Sequence, residues 1–96
     1  MTDKYGGIVR DTQYGDLTVF REYILSTDRI EYTIFFRDKN GEKGRADISG
    51  SKDLWMRISD DPEGPGLDGF ILDTLKKIIE EGNYAPNKNY KEYRID

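Results

Sequence analysis

The 96-residue chain has no cysteine and no histidine, and only three prolines and one tryptophan. Without cysteine there is no disulfide framework, no zinc–thiolate site and no thiol nucleophile. Without histidine the Ser–His and Cys–His nucleophile pairs cannot be built, and the commonest acid–base group at neutral pH is missing. Zinc loses both of its favoured ligand types. Neither a metal nor a cofactor is expected. Any catalysis would fall to carboxylates, lysine or tyrosine, so a non-enzymatic protein is expected.

Long apolar runs are also missing. None approaches the ~18 residues of a membrane span. The opening MTDKYGGIVRD holds no apolar core of a secretory leader. Together with the lack of cysteine, this predicts a cytoplasmic protein without membrane contact. Basic residues are outnumbered, 15 against 19 acidic, for a net charge of −4. Non-specific phosphate binding needs a basic face, so neither direct nucleic-acid binding nor docking on anionic lipid is expected.

Apolar residues make up 35% of the chain and charged residues another 35%, a polar balance for a folded domain. The apolar residues fall in periodic blocks, however. LTVFREYIL (17–25) is rich in β-branched and aromatic types, and RIEYTIFFR (29–37) alternates so that Ile30, Tyr32, Ile34 and Phe36 share one face. Both read as strands. RADISG (45–50) returns as a third strand, and the short apolar run DLWMRI (53–58) reads as a fourth. A first strand near 7–10 is weakened by Gly6-Gly7.

Matching apolar faces selects the expected pairings. In the first hairpin Leu25 sits opposite Ile30, Tyr23 opposite Tyr32 and Phe20 opposite Phe35. In the second, a three-residue loop of Asn40, Gly41 and Glu42 sets Phe36 against Ala46 and Ile34 against Ile48. One face then carries Val19, Tyr23, Leu25, Ile30, Tyr32, Ile34, Phe36, Ala46 and Ile48, with Arg21 as a misfit.

LDGFILDTLKKIIEE (67–81) is amphipathic at helical spacing through Leu67, Ile71, Leu75, Ile78 and Ile79, and Gly82 stands where a left-handed cap belongs. The expected fold is a single α+β domain over 1–96. An antiparallel sheet of four or five strands, at about 17–25, 29–37, 45–50 and 53–58 with a terminal edge strand, is covered on one face by one helix at about 67–81. The tail from 84 to 96 either is flexible or drapes over the sheet.

Two surfaces stand out. SDDPEGPGLDGFILD (59–73) holds five carboxylates, two prolines, three glycines and no basic residue. Asp60, Asp61, Glu63 and Asp68 are candidate partner-binding groups. The competing reading is helix-start chemistry, since carboxylates favour a helix N-terminus by about 0.3–1 kcal/mol each. The second surface is the other sheet face, where Phe20, Ile24 and Phe35 point away from the helix and Trp55 joins them. Such a patch suits a partner or self-association. DKNGEKGRADIS (38–49) starts like a calcium loop, but has Lys43 where glycine belongs and Ser49 where the bidentate glutamate belongs. It reads as a hairpin.

YGDLTV (14–19) leading into a meander and then a helix resembles the small DNA-binding domains built from three strands and a helix, over about a third of the chain. Residues 16–47 carry six basic and seven acidic groups, without the basic sheet such a reader needs. The composition therefore points to a small acidic protein-binding module that docks on a basic protein surface. Inhibitors, immunity proteins and phage- or plasmid-encoded antagonists share this profile. Two alternatives are an oligomeric binder of small ligands and a carboxylate-based hydrolase drawing on Asp60, Asp61, Glu63 and Asp68.

Overall fold

The computed structural model describes residues 4–38, 40–85 and 90–96. Four long strands form an antiparallel meander: β1 (Lys4–Thr12), β2 (Gly15–Ile24), β3 (Arg29–Arg37) and β4 (Lys43–Ser51). Helices α1 (Lys52–Asp60) and α2 (Gly66–Glu81) follow, and the two-residue β5 (Tyr93–Arg94) closes the chain. The sheet order is β1-β2-β3-β4-β5. β5 pairs parallel to β4, which makes the sheet mixed. The fold is α+β, with the helices on one face. The first strand, weak in the sequence because of Gly6-Gly7, forms and pairs Gly7 with Val19.

The inner face keeps the alternation that periodicity identifies, with Leu17 added and Leu25 lost. Leu17, Val19, Ile30, Tyr32, Ile34, Phe36, Ala46 and Ile48 are buried against Trp55, Ile71, Leu75 and Ile78. Both hairpins, however, are displaced by two residues from the expected pairing. Val19 faces Ile34 and Tyr23 faces Ile30, while Ile34 faces Ala46 and Phe36 faces Gly44. A two-residue slide keeps the parity of every side chain, so the faces survive and only the neighbours change.

Each displacement has a local cause. In the first turn Asp28 adopts φ 53°, a left-handed conformation that aspartate tolerates better than most residues. Its carboxylate accepts from the Tyr23 hydroxyl. The turn therefore begins at Leu25, which is 61% exposed and not part of the core face. In the second turn the Asp38 carboxylate accepts from the backbone N–H groups of Asn40 and Glu42, and Gly41 takes φ 77°. The loop is longer than three residues, and it is a hairpin. The Phe36 ring then lies over Gly44, where a Cβ would come within 2.5 Å of the ring.

The segment 53–58 is not a strand but most of α1. Ser51 caps it, its side chain accepting from the Leu54 N–H at 3.2 Å. Asp53 lies in the first turn and Arg57 in the last, each at the end the helix dipole favours. Leu54, Trp55 and Ile58 share the inward stripe, while Met56 is 49% exposed. A six-residue apolar run fits either period; the cap and the spacing from Trp55 to Ile58 decide for the helix. β4 runs straight into it through Gly50. A Cβ there would lie within 3 Å of Ile95 and the Trp55 indole nitrogen.

α2 matches the expected helix within one residue. Gly82 closes it at φ 70°, and the N–H groups of Gly82 and Asn83 bond the carbonyls of Ile79 and Ile78. The tail then lies along β4. Ala85 donates to the Arg45 carbonyl and Ile95 to the Ser49 carbonyl. Residues 86–89 of the tail lie outside the described residues. Among the described residues no helix is long and apolar enough to cross a membrane.

Candidate docking face

The sheet has a second face that neither helix covers. The pairings arrange it in rows across β2, β3 and β4. Glu22 and Glu31 stand in one row with Ser49. Phe20 stands with Thr33 and Asp47 in the next, then Thr18 with Phe35 and Arg45, and beyond them Arg37 pairs with Lys43. Residues two apart on a strand lie roughly 7 Å apart, so the outermost of these rows are separated by about 20 Å.

Phe20 and Phe35 sit in the middle. They are diagonal neighbours rather than directly opposed, and their rings meet edge to face with centroids 5.9 Å apart. They remain 46% and 42% exposed. A shallow groove of about 300 Å³ runs beside them, walled by Phe20, Glu22, Glu31, Thr33, Phe35 and Arg45. A second hollow of about 300 Å³ is lined by Asp16, Thr18, Phe35, Arg37 and Lys43. Two large aromatics are thus left open side by side on a helix-free sheet face.

Trp55 does not belong to this patch. It is 2% exposed and packs on the opposite side of the sheet. Its ring centroid lies 4.6 Å from that of Tyr32 and 5.7 Å from that of Phe70. Ile24 shares the outer face at the turn end, paired with Arg29 and half-buried.

The rim of the groove near β4 is built from groups that no sequence pattern singles out. Arg45 holds Asp47 with two bonds, Nε to Oδ1 at 3.2 Å and Nη2 to Oδ2 at 3.3 Å. The Tyr90 hydroxyl, from the tail, donates to the same carboxylate. Burial and that bond push the Tyr90 phenol well above its ordinary range. Glu31 is pushed up to about 7. Its desolvation is the main cause, followed by the charges of Glu92 and Asp47, a hydrogen bond with Glu92, and the charge of Glu22. Glu22 stands directly opposite it, a like-charge pair that disfavours ionisation. The tail is pinned further along. Arg29 bonds Asp96 at 2.9 and 3.2 Å, and the Ser51 N–H donates to Asp96 at 2.9 Å. The Arg29 bond is the first cause holding the Asp96 carboxyl below its ordinary value.

The acidic stretch lies elsewhere. Asp60 ends α1, Asp61 caps it, and Asp68 falls in the first turn of α2. Asp61 Oδ1 accepts from the Glu63 N–H at 3.0 Å, and its carbonyl accepts from Gly64, so one carboxylate shapes the turn. The residue at the α2 N-cap is Pro65, with no side-chain cap bond. Asp60, Asp61, Glu63 and Asp68 are all exposed. This loop joins the two helices, and the Phe20–Phe35 pair lies on the sheet face away from them. The two candidate surfaces thus occupy opposite layers and do not form one contiguous site.

Among the described residues the carboxyl with a raised pKa is Glu31, on the sheet and outside that loop. Its outward position follows from strand alternation. Its opposition to Glu22 requires the observed pairing, since the expected one set Glu22 against Thr33. The part played by Tyr90 and Glu92 depends on where the tail lies. No protein-family model matches the chain, and neither a curated protein nor a solved structure does so.

Proposed function

We propose that this protein is a non-enzymatic protein-binding module whose contact surface is the helix-free face of its sheet. The exposed edge-to-face pair of Phe20 and Phe35 carries this reading. Aromatic anchors in a shallow groove, flanked by charged groups of both signs, are what a protein interface uses for affinity and for register. The neighbouring charges are already ordered by Arg45, Asp47 and Tyr90, which favours a surface formed before binding. Occlusion of whatever lies opposite is the mechanism, as for small inhibitors and antagonists.

The acidic loop is a second surface in the same reading. Asp60, Asp61, Glu63 and Asp68 project from the helix layer of a chain with net charge −4. They suit a partner with a basic surface, which they would steer rather than anchor. The test places a photo-crosslinking benzoylphenylalanine at position 35 or at position 63 and irradiates the protein in its host cells. Protein adducts at position 35 are expected, whether with another protein or with the chain itself. Adducts at 63 without any at 35 would move the anchoring surface to the loop.

A further inference from the structure

The tail returns to the sheet as a strap along β4, and its side chains follow the period of a strand. Tyr93 and Ile95 pack on the core. Tyr90, Glu92 and Asp96 alternate with them, and each meets a group on β3 or β4. The Tyr90 hydroxyl donates to Asp47, Glu92 shares a hydrogen bond with Glu31, and Asp96 accepts from Arg29 and from the Ser51 N–H. Ser49 stands between Glu31 and the strap, and its short side chain leaves room for Glu92 to reach across β4.

These three contacts differ in what they need. Arg29 and Asp96 carry opposite charges, and Tyr90 is a neutral donor to a carboxylate, so both contacts persist through neutral pH. Two carboxyls bond each other only while one of them carries a proton. We infer that residues 90–92 act as a proton-dependent clasp, closed by a proton shared between Glu31 and Glu92 and opened when that proton passes to water. The clasp stands at the β4 rim of the sheet and works the same whether or not Phe20 and Phe35 meet a partner.

Acids adjoin Glu31 from each neighbouring element: Glu22 from β2, Asp47 from β4 and Glu92 from the tail. The cations nearby are engaged with other acids. Arg45 holds Asp47, Arg29 holds Asp96, and Arg94, across Ser49 in the row of Glu31, acts on Asp96 as well. Arg21 lines the groove beside Glu22 and Glu31, and Lys4 is the register partner of Glu22 on β1. Once the shared proton is gone, like charges meet at Glu31 and Glu92. The tail yields rather than the sheet, because Glu22, Glu31 and Asp47 sit on fully paired strands. Two bonds between Asn83 and Lys91, at 2.9 and 3.1 Å, oppose the opening but are exposed to water. β5 and Asp96 stay in place, and opening uncovers Asp47, which is 8% exposed beneath the closed strap. The value of about 7 for Glu31 sets the change near neutral pH, with the clasp closed below it and opening above it.

The experiment is amide solvent exchange by NMR on the full chain, with protection taken relative to free-chain exchange at each pH. The Lys91 N–H, bonded to Asn83 Oδ1, reports on the clasp, and the Ile95 N–H, bonded to the Ser49 carbonyl, reports on the anchored end. From about pH 5.5 to about pH 8 the protection of Lys91 in the wild-type chain should fall about 10-fold, while that of Ile95 holds. In Glu31→Gln the new amide donates to the Glu92 carboxylate at either pH, so Lys91 should stay protected at both. Glu92→Gln should do the same, and should lower the midpoint of Glu31 in carboxyl-carbon spectra. Tyr90→Phe removes a bond that does not titrate in this interval, so it should reduce Lys91 protection equally at both pH values.

Wild-type protection at Lys91 that is the same at both pH values overturns the inference. So does a fall that persists undiminished in both Glu31→Gln and Glu92→Gln, which would place the titrating group elsewhere. A fall shared by Ile95 and the core strands also overturns it, since the whole chain would then be loosening rather than the strap. Unchanged amide shifts in the core show that each variant is folded.

Discussion

The indole Nε1–H of Trp55 donates to the backbone carbonyl of Ile30 at 2.9 Å, across 25 residues of sequence. One bond thus fastens the first turn of α1 to the start of β3 and satisfies the polar atom of the largest core side chain. Trp55→Ala should lose about 3–5 kcal/mol, because it opens a cavity and strands that carbonyl. Met56→Ala, on the exposed side of the same helix, should stay within about 0.5 kcal/mol of the parent. Urea melts of the two variants check this. Similar losses at both positions would contradict the helical placement of this segment.

Gly44 lies beneath the Phe36 ring, with 2.5 Å between the ring and the place a Cβ would take. Gly44→Ala should destabilise the chain by about 1–3 kcal/mol through overpacking. The same change made beside Phe36→Leu should cost less, since the smaller side chain leaves room. A double-mutant cycle measures the coupling, and additivity would mean that the ring does not rest on the glycine.

Glu31 has a folded-state value of about 7 against an ordinary 4.5. A carboxyl with a raised pKa binds its proton more tightly in the folded chain than in the unfolded one. Its contribution to stability is therefore complete below pH 4.5 and is lost as pH rises through about 7. The melting temperature should fall across that interval, and Glu31→Gln, which cannot ionise, should flatten the slope. Thermal melts from pH 4 to 8 at one fixed protein concentration test it. An equal slope in the variant would assign the effect to other groups.

The acidic loop contains one shaping carboxylate among exposed ones. Asp61→Ala removes the acceptor for the Glu63 N–H and should cost about 0.5–1 kcal/mol. Asp60→Asn, Asp61→Asn and Glu63→Gln together keep an oxygen acceptor at 61 and should change stability by less than about 1 kcal/mol. Against a basic partner, the triple variant should associate more slowly and with a flatter salt dependence, while dissociation stays the same. Stopped-flow association at two ionic strengths reads this directly. An unchanged rate at low salt beside a clear loss of stability would restrict the carboxylates to helix-end chemistry.

Much of the fold is legible in the sequence. Alternation through Ile30, Tyr32, Ile34 and Phe36 assigns both sides of β3, because successive side chains on a strand must point in opposite directions. That property is local, so it survived a two-residue slide in both hairpins. The stripe from Leu67 to Ile79 and the Gly82 cap are local in the same sense, and α2 ends where they place it. The outward setting of Phe20 and Phe35 follows from strand parity as well.

What the tertiary structure alone decided depends on groups distant in sequence or on the detailed shape of a turn. The pairing of β2 with β3 was settled by whether Asp28 or its neighbour takes the left-handed conformation, and that of β3 with β4 by a carboxylate cap and a ring needing a glycine beneath it. The run at 53–58 was too short for its period to choose between strand and helix. It became a helix on the inner layer, which moved Trp55 from an expected surface patch to the centre of the core. The like-charged pair of Glu22 and Glu31, and the hold of Tyr90 on Asp47, arise between strands and a tail that only the folded chain brings together. For this protein, side-chain direction is a property of the backbone repeat and was readable in the sequence. Which side chains become neighbours, and so which surface can bind, was set by turn geometry and by contacts between segments far apart in the chain.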